Sequence, residues 1–243
     1  MVGARPRERI GANPARCPST PRRGSAAGLA AADNATVNID PRRHSPAAER
    51  NAQAIATELQ RVLPAAGSAL EIASGSGQHA AFLSLALPGW RWQPSDGDAS
   101  ALASISAWCE HCANVAPPLH IDVMATQWAG VPTQVDAMFC ANLLHIAPWA
   151  TCAALMRGAA RHLSVGGLLL LYGPYLVDGA PTAPSNLAFD ADLRTRDPRW
   201  GLRRLADVVA AAAAVDLALR EQIAMPANNL LLVFGCAPVC VST

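Results

Sequence analysis

In the stretch Leu70-Glu71-Ile72-Ala73-Ser74-Gly75-Ser76-Gly77-Gln78-His79-Ala80, an apolar strand carries an acidic residue near its end and runs through a glycine-rich turn into a helix. Gly75 and Gly77 tolerate positive φ and let the backbone come within van der Waals distance of a ligand, and the N–H groups of the following helix face the same crevice. A two-glycine turn also serves as a plain strand-to-helix connection, so a second acidic residue matters. Asp96 lies nineteen positions after Gly77, at the end of Trp90-Arg91-Trp92-Gln93-Pro94, the next predicted strand. A carboxylate at that tip is placed to accept both hydroxyl hydrogens of an adenosine ribose.

Outward from this core, strands and helices alternate. Ser45-Pro46 starts a helix with a hydroxyl at the N-cap and proline at the first helical position. It is predicted to run to about Leu63, with Ile55, Leu59, Val62 and Leu63 on its core face. Strands are predicted near 68–73, 90–94, 117–122, 135–141 and 167–172, and helices near 78–87, 99–113, 149–163 and 203–215. Helical crossovers of this length imply a parallel sheet with helices on both faces. Two further strands, 217–225 and 228–234, are joined by Pro226-Ala227 with no room for a crossover, which forces them antiparallel. A mostly parallel sheet with a C-terminal antiparallel hairpin is the seven-stranded, Rossmann-like arrangement of class I methyltransferases.

Composition narrows the classes. At 243 residues and 51% hydrophobic content the chain supports one full α/β core, yet no run reaches the roughly 18 apolar residues of a membrane span. A soluble, cytoplasmic protein is the expectation. A net charge of +1 gives no basic field over the whole chain, which argues against nucleic acid as a partner. Eight arginines among residues 1–43, with frequent Pro, Gly, Ala and Ser, predict a solvated tail over 1–40, a domain over 41–236 and a short tail over 237–243. Seven cysteines include the pair Cys109 and Cys112. That pair falls in a predicted helix, where a zinc knuckle would want a turn, so no metal is expected.

Four strand tips outline one adenosine-shaped groove: Glu71 with the glycine turn, Asp96, Asp122 with Val123, and Asn142. Glycine count does not separate a dinucleotide from S-adenosylmethionine. Glu71 does, because a carboxylate before the turn suits the cationic amino-acid end of S-adenosylmethionine better than a pyrophosphate. Ser45 to Asn51, LEIASGSGQHA, WQPSD, CANLLHIAPW, LLLYGPY, TAPSNLAFD, LRTRDPRWG and MPANNLLLVF together resemble successive blocks of the methyltransferase-like protein 26 family, an uncharacterised group within the class I enzymes. The likeness covers about residues 40 to 235. It implies the fold and S-adenosylmethionine as cofactor, and it supplies no substrate. Carried over by position, it implies that Glu71, Ala73, Gly75 and Gly77 form the cofactor loop, Asp96 the ribose carboxylate, Asp122 and Val123 the adenine edge, and that Asn142 lines the methionine side.

Ala73 stands where the wider superfamily has a first glycine, which is tolerable if its backbone stays in an ordinary region. The paired prolines and aromatic that follow the asparagine in base and amide methyltransferases are absent after Asn142, which weakens a nucleic-acid acceptor. His145 is the candidate general base, alongside a plain role in capping or packing, and His79 in the first turn after the glycines is either a cofactor contact or core. Gly173-Pro174-Tyr175 and residues 178–200 read as a loop and a long insertion of the kind that forms lids, with Tyr175, Ser185, Asn186 and Arg194 as candidate contacts for a small-molecule or protein acceptor. The function expected is methyl transfer; the alternative is a catalytically silent S-adenosylmethionine-binding partner or sensor.

Overall fold

The computed structural model describes residues 40–236; the tails expected over 1–40 and 237–243 lie outside the described residues, Asp40 excepted. The domain opens with α1 (Pro46–Val62), whose N-cap Ser45 accepts from the Ala48 N–H and whose Glu49 and Arg61 complement the helix dipole. There follow β1 (Gly67–Ile72), α2 (Gln78–Ala86), β2 (Trp90–Asp96), α3 (Leu102–Trp108), β3 (Leu119–His120) and β4 (Val135–Ala141). Then come α4 (Ala150–His162), β5 (Leu163–Gly173), β6 (Tyr175–Leu176), α5 (Pro184–Arg196), β7 (Arg203–Arg204), α6 (Leu205–Ala213), β8 (Leu217–Met225) and β9 (Asn229–Cys236).

Seven of these strands form one sheet in the order β3-β2-β1-β4-β5-β9-β8. The first five are parallel, while β9 is antiparallel to both β5 and β8. Strand residues alternate between two cores. Met138, Cys140, Leu169 and Leu171 face α4 and α6, whereas Ala137, Phe139, Leu170 and Tyr172 face α1 and α2. Phe139 is fully buried at the centre of the second core, so its truncation to alanine should cost about 3 to 5 kcal/mol. The order of strands reverses between β1 and β4, which opens a crevice beyond their carboxyl ends.

Four expectations need correction. The strand expected over 117–122 pairs only at Leu119–His120, because Pro117 and Pro118 have no N–H to give to a ladder. The helix expected over 99–113 is a single 3-10 turn, Ala99–Ala101, followed by α3, which ends at Trp108. Cys109 and Cys112 therefore sit in the turn beyond α3, and burial pushes the Cys109 thiol up to about 12. Among the described residues no group of three His, Cys, Asp or Glu side chains is gathered to hold a metal ion, and no helix is long and apolar enough to cross a membrane. Lastly, the stretch 178–200 is not a bare loop. It contains α5, with Pro184 in its first turn and Arg194 and Arg196 in its last, and β6 pairs with β7 to close the segment into a small separate sheet.

Candidate functional site

At the switch point the chain leaves both central strands through the left-handed region. Ala73 follows β1 with φ +57°, and Asn142 follows β4 with φ +61°. Asparagine tolerates that conformation; alanine does so at a cost of about 1 kcal/mol or more. Ala73 is thus not in the ordinary backbone region that its side chain would favour. With Gly75 at φ +58° and Gly77 at φ +92°, every second residue of the turn is left-handed, which curls the backbone into a cradle. The two glycines serve different ends. A Cβ on Gly77 would lie 2.6 Å from the Ile105 Cα, so this position is needed for α3 to seat, whereas a Cβ on Gly75 would meet nothing within 4 Å and would project into open space.

Asp96 ties the cradle to β2. One carboxylate oxygen accepts from the Gly75 N–H at 2.8 Å and the other from the Asp98 N–H at 2.8 Å. Each oxygen keeps a further lone pair, and the residue lines a cavity of about 320 Å³ with Ala73, Ser74, Gly75 and Ser76. Asn142, Leu143 and Ile146 form the wall after β4, Ser45 and Ala48 the roof at the start of α1, and His79 the inner end. The His79 Nε2 lies 2.7 Å from the Asn51 Oδ1, and burial lowers its pKa to about 4, so the imidazole is neutral. The roof is strapped down from the N-terminal side. The Ser45 N–H donates to the Gln78 Oε1, the Arg43 N–H to the Ser104 Oγ at 2.8 Å, and the Trp108 indole to the Arg43 carbonyl at 2.8 Å.

The structure brings together Ala73, Gly75, Asp96 and Asn142 of the expected cofactor residues, with Gly77 just behind. Glu71 lies elsewhere. It is 1% exposed beneath the turn, accepting from the Trp92 Nε1 at 2.6 Å, and burial raises its pKa to about 7 while the indole and Ser74 hydrogen bonds oppose the shift. It does not line the cavity. Asp122 and Val123 also fall outside it: Asp122 is exposed and accepts from the Met124 N–H at 2.8 Å, and Val123 lines a smaller cleft beside Trp128.

His145 does not face the cleft either. It sits in the 3-10 turn Leu144–Ile146; Asn142, Leu143 and Ile146 line the cleft and His145 does not. Its ring lies in a separate cavity of about 10 Å³ with Tyr175 and Arg203, edge-on to Phe189 at 5.4 Å. Burial, and then the charge of Arg203, lower its pKa to about 4. Arg203 holds this turn from the far side, donating to the Leu144 carbonyl at 2.9 Å and the Ala147 carbonyl at 2.6 Å. Of the expected acceptor contacts, Tyr175 is buried at the same place and Asn186 is buried on α5. Ser185 is exposed, and Arg194 is spent on an ion pair with Asp190 at 2.8 Å. Ser45 and Ala48 are cavity residues without a signal for that role in the sequence, because it depends on α1 folding back over the turn; Ser74 and Ser76 come with the glycine turn itself and Ile146 with the turn after β4.

Residues 42–235 match the family described as Protein of unknown function (DUF938), and the chain belongs to that family. Its fold is that of class I methyltransferases. It is similar to the mitomycin 7-O-methyltransferase MmcR, with a TM-score of 0.67 and 17% identity over 79% of this chain and 54% of that one. An O-methyltransferase family 2 protein from Planctomyces limnophilus, in complex with apigenin, gives a TM-score of 0.61 and 21% identity over 76% of this chain and 61% of that one. The O-methyltransferase NcsB1, solved with S-adenosylmethionine and 2-hydroxy-5-methyl naphthoic acid, gives 0.61 and 18% over 78% and 54%. The chain thus spans a little over half the length of these structures.

Proposed function

We propose that this member of the family is an S-adenosylmethionine-dependent methyltransferase acting on a small-molecule or protein acceptor. The observation that carries this reading is the Asp96 carboxylate, fixed by two backbone N–H groups at the rim of a cradle that opens at the switch point. The donor set fits the cofactor. Asp96 retains lone pairs for vicinal hydroxyls, the open space over Gly75 admits a ligand against the backbone, and among the described residues no Arg lines the cavity to pair with a pyrophosphate. Asp122 and Val123 belong to this proposal as the outer rim for the adenine, one strand tip further along.

When bound, the cofactor supplies a methyl group on a sulfonium, which forms a bond to an acceptor lone pair as the carbon–sulfur bond breaks and its electrons stay on sulfur. What the chain contributes is placement. The left-handed turns at Ala73 and Asn142 hold the walls apart, Ser45 and Ala48 cover the cleft from above, and alignment of this kind supplies much of the acceleration in a displacement. Asn142, at the wall after β4, is the residue we assign to orienting the reacting groups. His145, turned into its own cavity, is assigned to holding that wall. The narrower likeness to the methyltransferase-like protein 26 family agrees with these blocks of sequence, and the free thiols from Cys109 to Cys236 agree with a cytoplasmic setting. The experiment is transfer of labelled methyl groups from S-adenosylmethionine into a cell extract. Label entering a product in proportion to enzyme supports the reading, and cofactor binding without any transfer contradicts it in favour of a silent sensor.

A further inference from the structure

The inner end of the cofactor cleft is closed by a chain of side chains drawn from α2, α1, β5 and β9. The His79 Nε2 lies 2.7 Å from the Asn51 Oδ1, and the Asn51 and Asn229 side chains both bond to the Tyr172 hydroxyl. The far end of this chain fixes its direction. The Asn229 Nδ2 donates to the Pro226 carbonyl at 3.1 Å and to the Ala227 carbonyl at 3.5 Å, which uses both of its hydrogens and leaves the amide oxygen for Tyr172. Tyr172 gives its one hydrogen to that oxygen, so its own oxygen accepts from the Asn51 Nδ2, and the Asn51 oxygen accepts in turn from the His79 Nε2. The imidazole is neutral, its pKa lowered by burial to about 4, and therefore carries its proton on Nε2 and a bare lone pair on Nδ1.

The His79 Nδ1 has no hydrogen-bond partner among the described residues and is not sealed from solvent; since His79 lines the cleft, the lone pair opens there. Its place along the cleft decides what it meets. The ring stands edge-on to Phe139 of β4 at 6.0 Å, on the opposite side of β1 from Asp96 at the tip of β2. A cofactor with its ribose at Asp96 and its adenine further out beyond β2 directs its amino-acid end to this side. The ammonium group there needs an acceptor, and Asp96, the only carboxylate lining the cleft among the described residues, is engaged at the other end. A fixed lone pair suits that ammonium group, whereas an imidazole this hard to protonate is a poor general base for the methyl acceptor.

We propose that His79 is a cofactor-binding residue whose Nδ1 accepts a hydrogen bond from the ammonium group of the methionine moiety of S-adenosylmethionine, and that Asn51 and Tyr172 are positioning residues that lock the tautomer required. The proposal rests on the methyltransferase reading above. Its test is calorimetry on the full chain with S-adenosylhomocysteine and with the analogue that lacks only the amino group, 5′-S-(3-carboxypropyl)-5′-thioadenosine. Wild type should bind S-adenosylhomocysteine more tightly than the analogue by about tenfold or more. His79→Gln puts an amide N–H in place of Nε2, which keeps the bond to Asn51, and offers no acceptor in place of Nδ1. It should weaken S-adenosylhomocysteine by about tenfold or more and the analogue by less than about twofold. Equal binding of the two ligands to wild type, equal weakening of both by the variant, or no weakening of S-adenosylhomocysteine would overturn the proposal. Nitrogen NMR of the wild-type chain decides even where the variant does not fold. The His79 ring should be protonated on Nε2 alone, and its Nδ1 signal should shift with S-adenosylhomocysteine far more than with the analogue; a proton on Nδ1, or the same shift with both ligands, would overturn the assignment. Failure of S-adenosylhomocysteine itself to bind the wild-type chain would instead overturn the methyltransferase reading.

Discussion

Glu71→Gln should make the protein more stable than wild type as the pH rises. Glu71 is fully buried, its pKa raised from 4.5 to about 7 by loss of solvation, with the Trp92 indole only partly compensating. A carboxyl whose folded pKa lies above its unfolded one favours the native state most at low pH. That contribution falls as pH climbs from the unfolded value to the folded one and is constant above. At about 1.4 kcal/mol per pH unit, the full span is roughly 3 kcal/mol, of which about 2 kcal/mol falls between pH 5.5 and 8. The glutamine side chain would keep an oxygen for the indole and remove only the charge. Urea unfolding of both proteins at pH 5.5 and 8 should therefore show the variant gaining about 2 kcal/mol on wild type across that interval. The buried histidines titrate in both proteins and cancel in the difference. A difference independent of pH, or one that moves the other way, would refute the assignment of Glu71 as a desolvated carboxyl beneath the turn.

His79 and His145, each lowered from 6.5 to about 4, favour the folded state above pH 6.5. That stability is lost as pH falls toward 4, by up to roughly 3 kcal/mol for each, and His145→Gln should flatten part of the acid limb of a stability profile. The same variant should keep its turnover per folded molecule close to wild type, and a drop of about 100-fold would restore His145 as the base. Gly77→Ala, with its Cβ against the Ile105 backbone, should cost about 3 kcal/mol in a denaturant melt, whereas Gly75→Ala should cost only about 1 kcal/mol and act mainly on ligand affinity. Equal stability losses at the two glycines would contradict the division of roles. A chain beginning at Asp40 should melt like the full chain, and one beginning at Pro46 should melt lower, because it lacks the Arg43 contacts to Ser104 and Trp108; equal melting of all three would remove the strap from the fold.

Local chemistry was readable where it depends on neighbours in sequence. The Ser45-Pro46 helix start, the strand before Ala73, the strand that ends before Asn142 and the C-terminal hairpin all appear within about two residues of expectation. The place of Asp96 at the tip of β2 is legible because a fixed spacing separates a glycine turn from the next strand tip. What escaped depends on distant partners. α5 buries only Asn186 and Leu193, so it has no apolar stripe to betray it, although Pro184 and the terminal arginines were helix signals. Glu71 is expected as a cofactor ligand from its place before the turn, but strand alternation puts it on the face opposite Leu70 and Ile72, where the Trp92 indole on the neighbouring strand takes up its carboxylate. His145 is expected at the acceptor because it follows Asn142 by three; both side chains do come beside Gly173, but the imidazole packs with Tyr175, Arg203 and Phe189, partners distant in sequence, and does not line the cofactor cavity.

The most direct measurement on the central claim is calorimetry of S-adenosylhomocysteine against the wild-type chain and Asp96→Ala. Wild type should bind with micromolar affinity, and loss of the charge-assisted bonds that Asp96 offers should weaken binding by about 1.5 to 3 kcal/mol. Since Asp96 also holds the Gly75 and Asp98 N–H groups, a melt of the variant shows how much of the change is misplacement of the cradle. NADH should bind far more weakly than S-adenosylhomocysteine. Tighter binding of NADH, or an affinity for S-adenosylhomocysteine that is unchanged by Asp96→Ala, would contradict a methyl-donor cleft at this switch point.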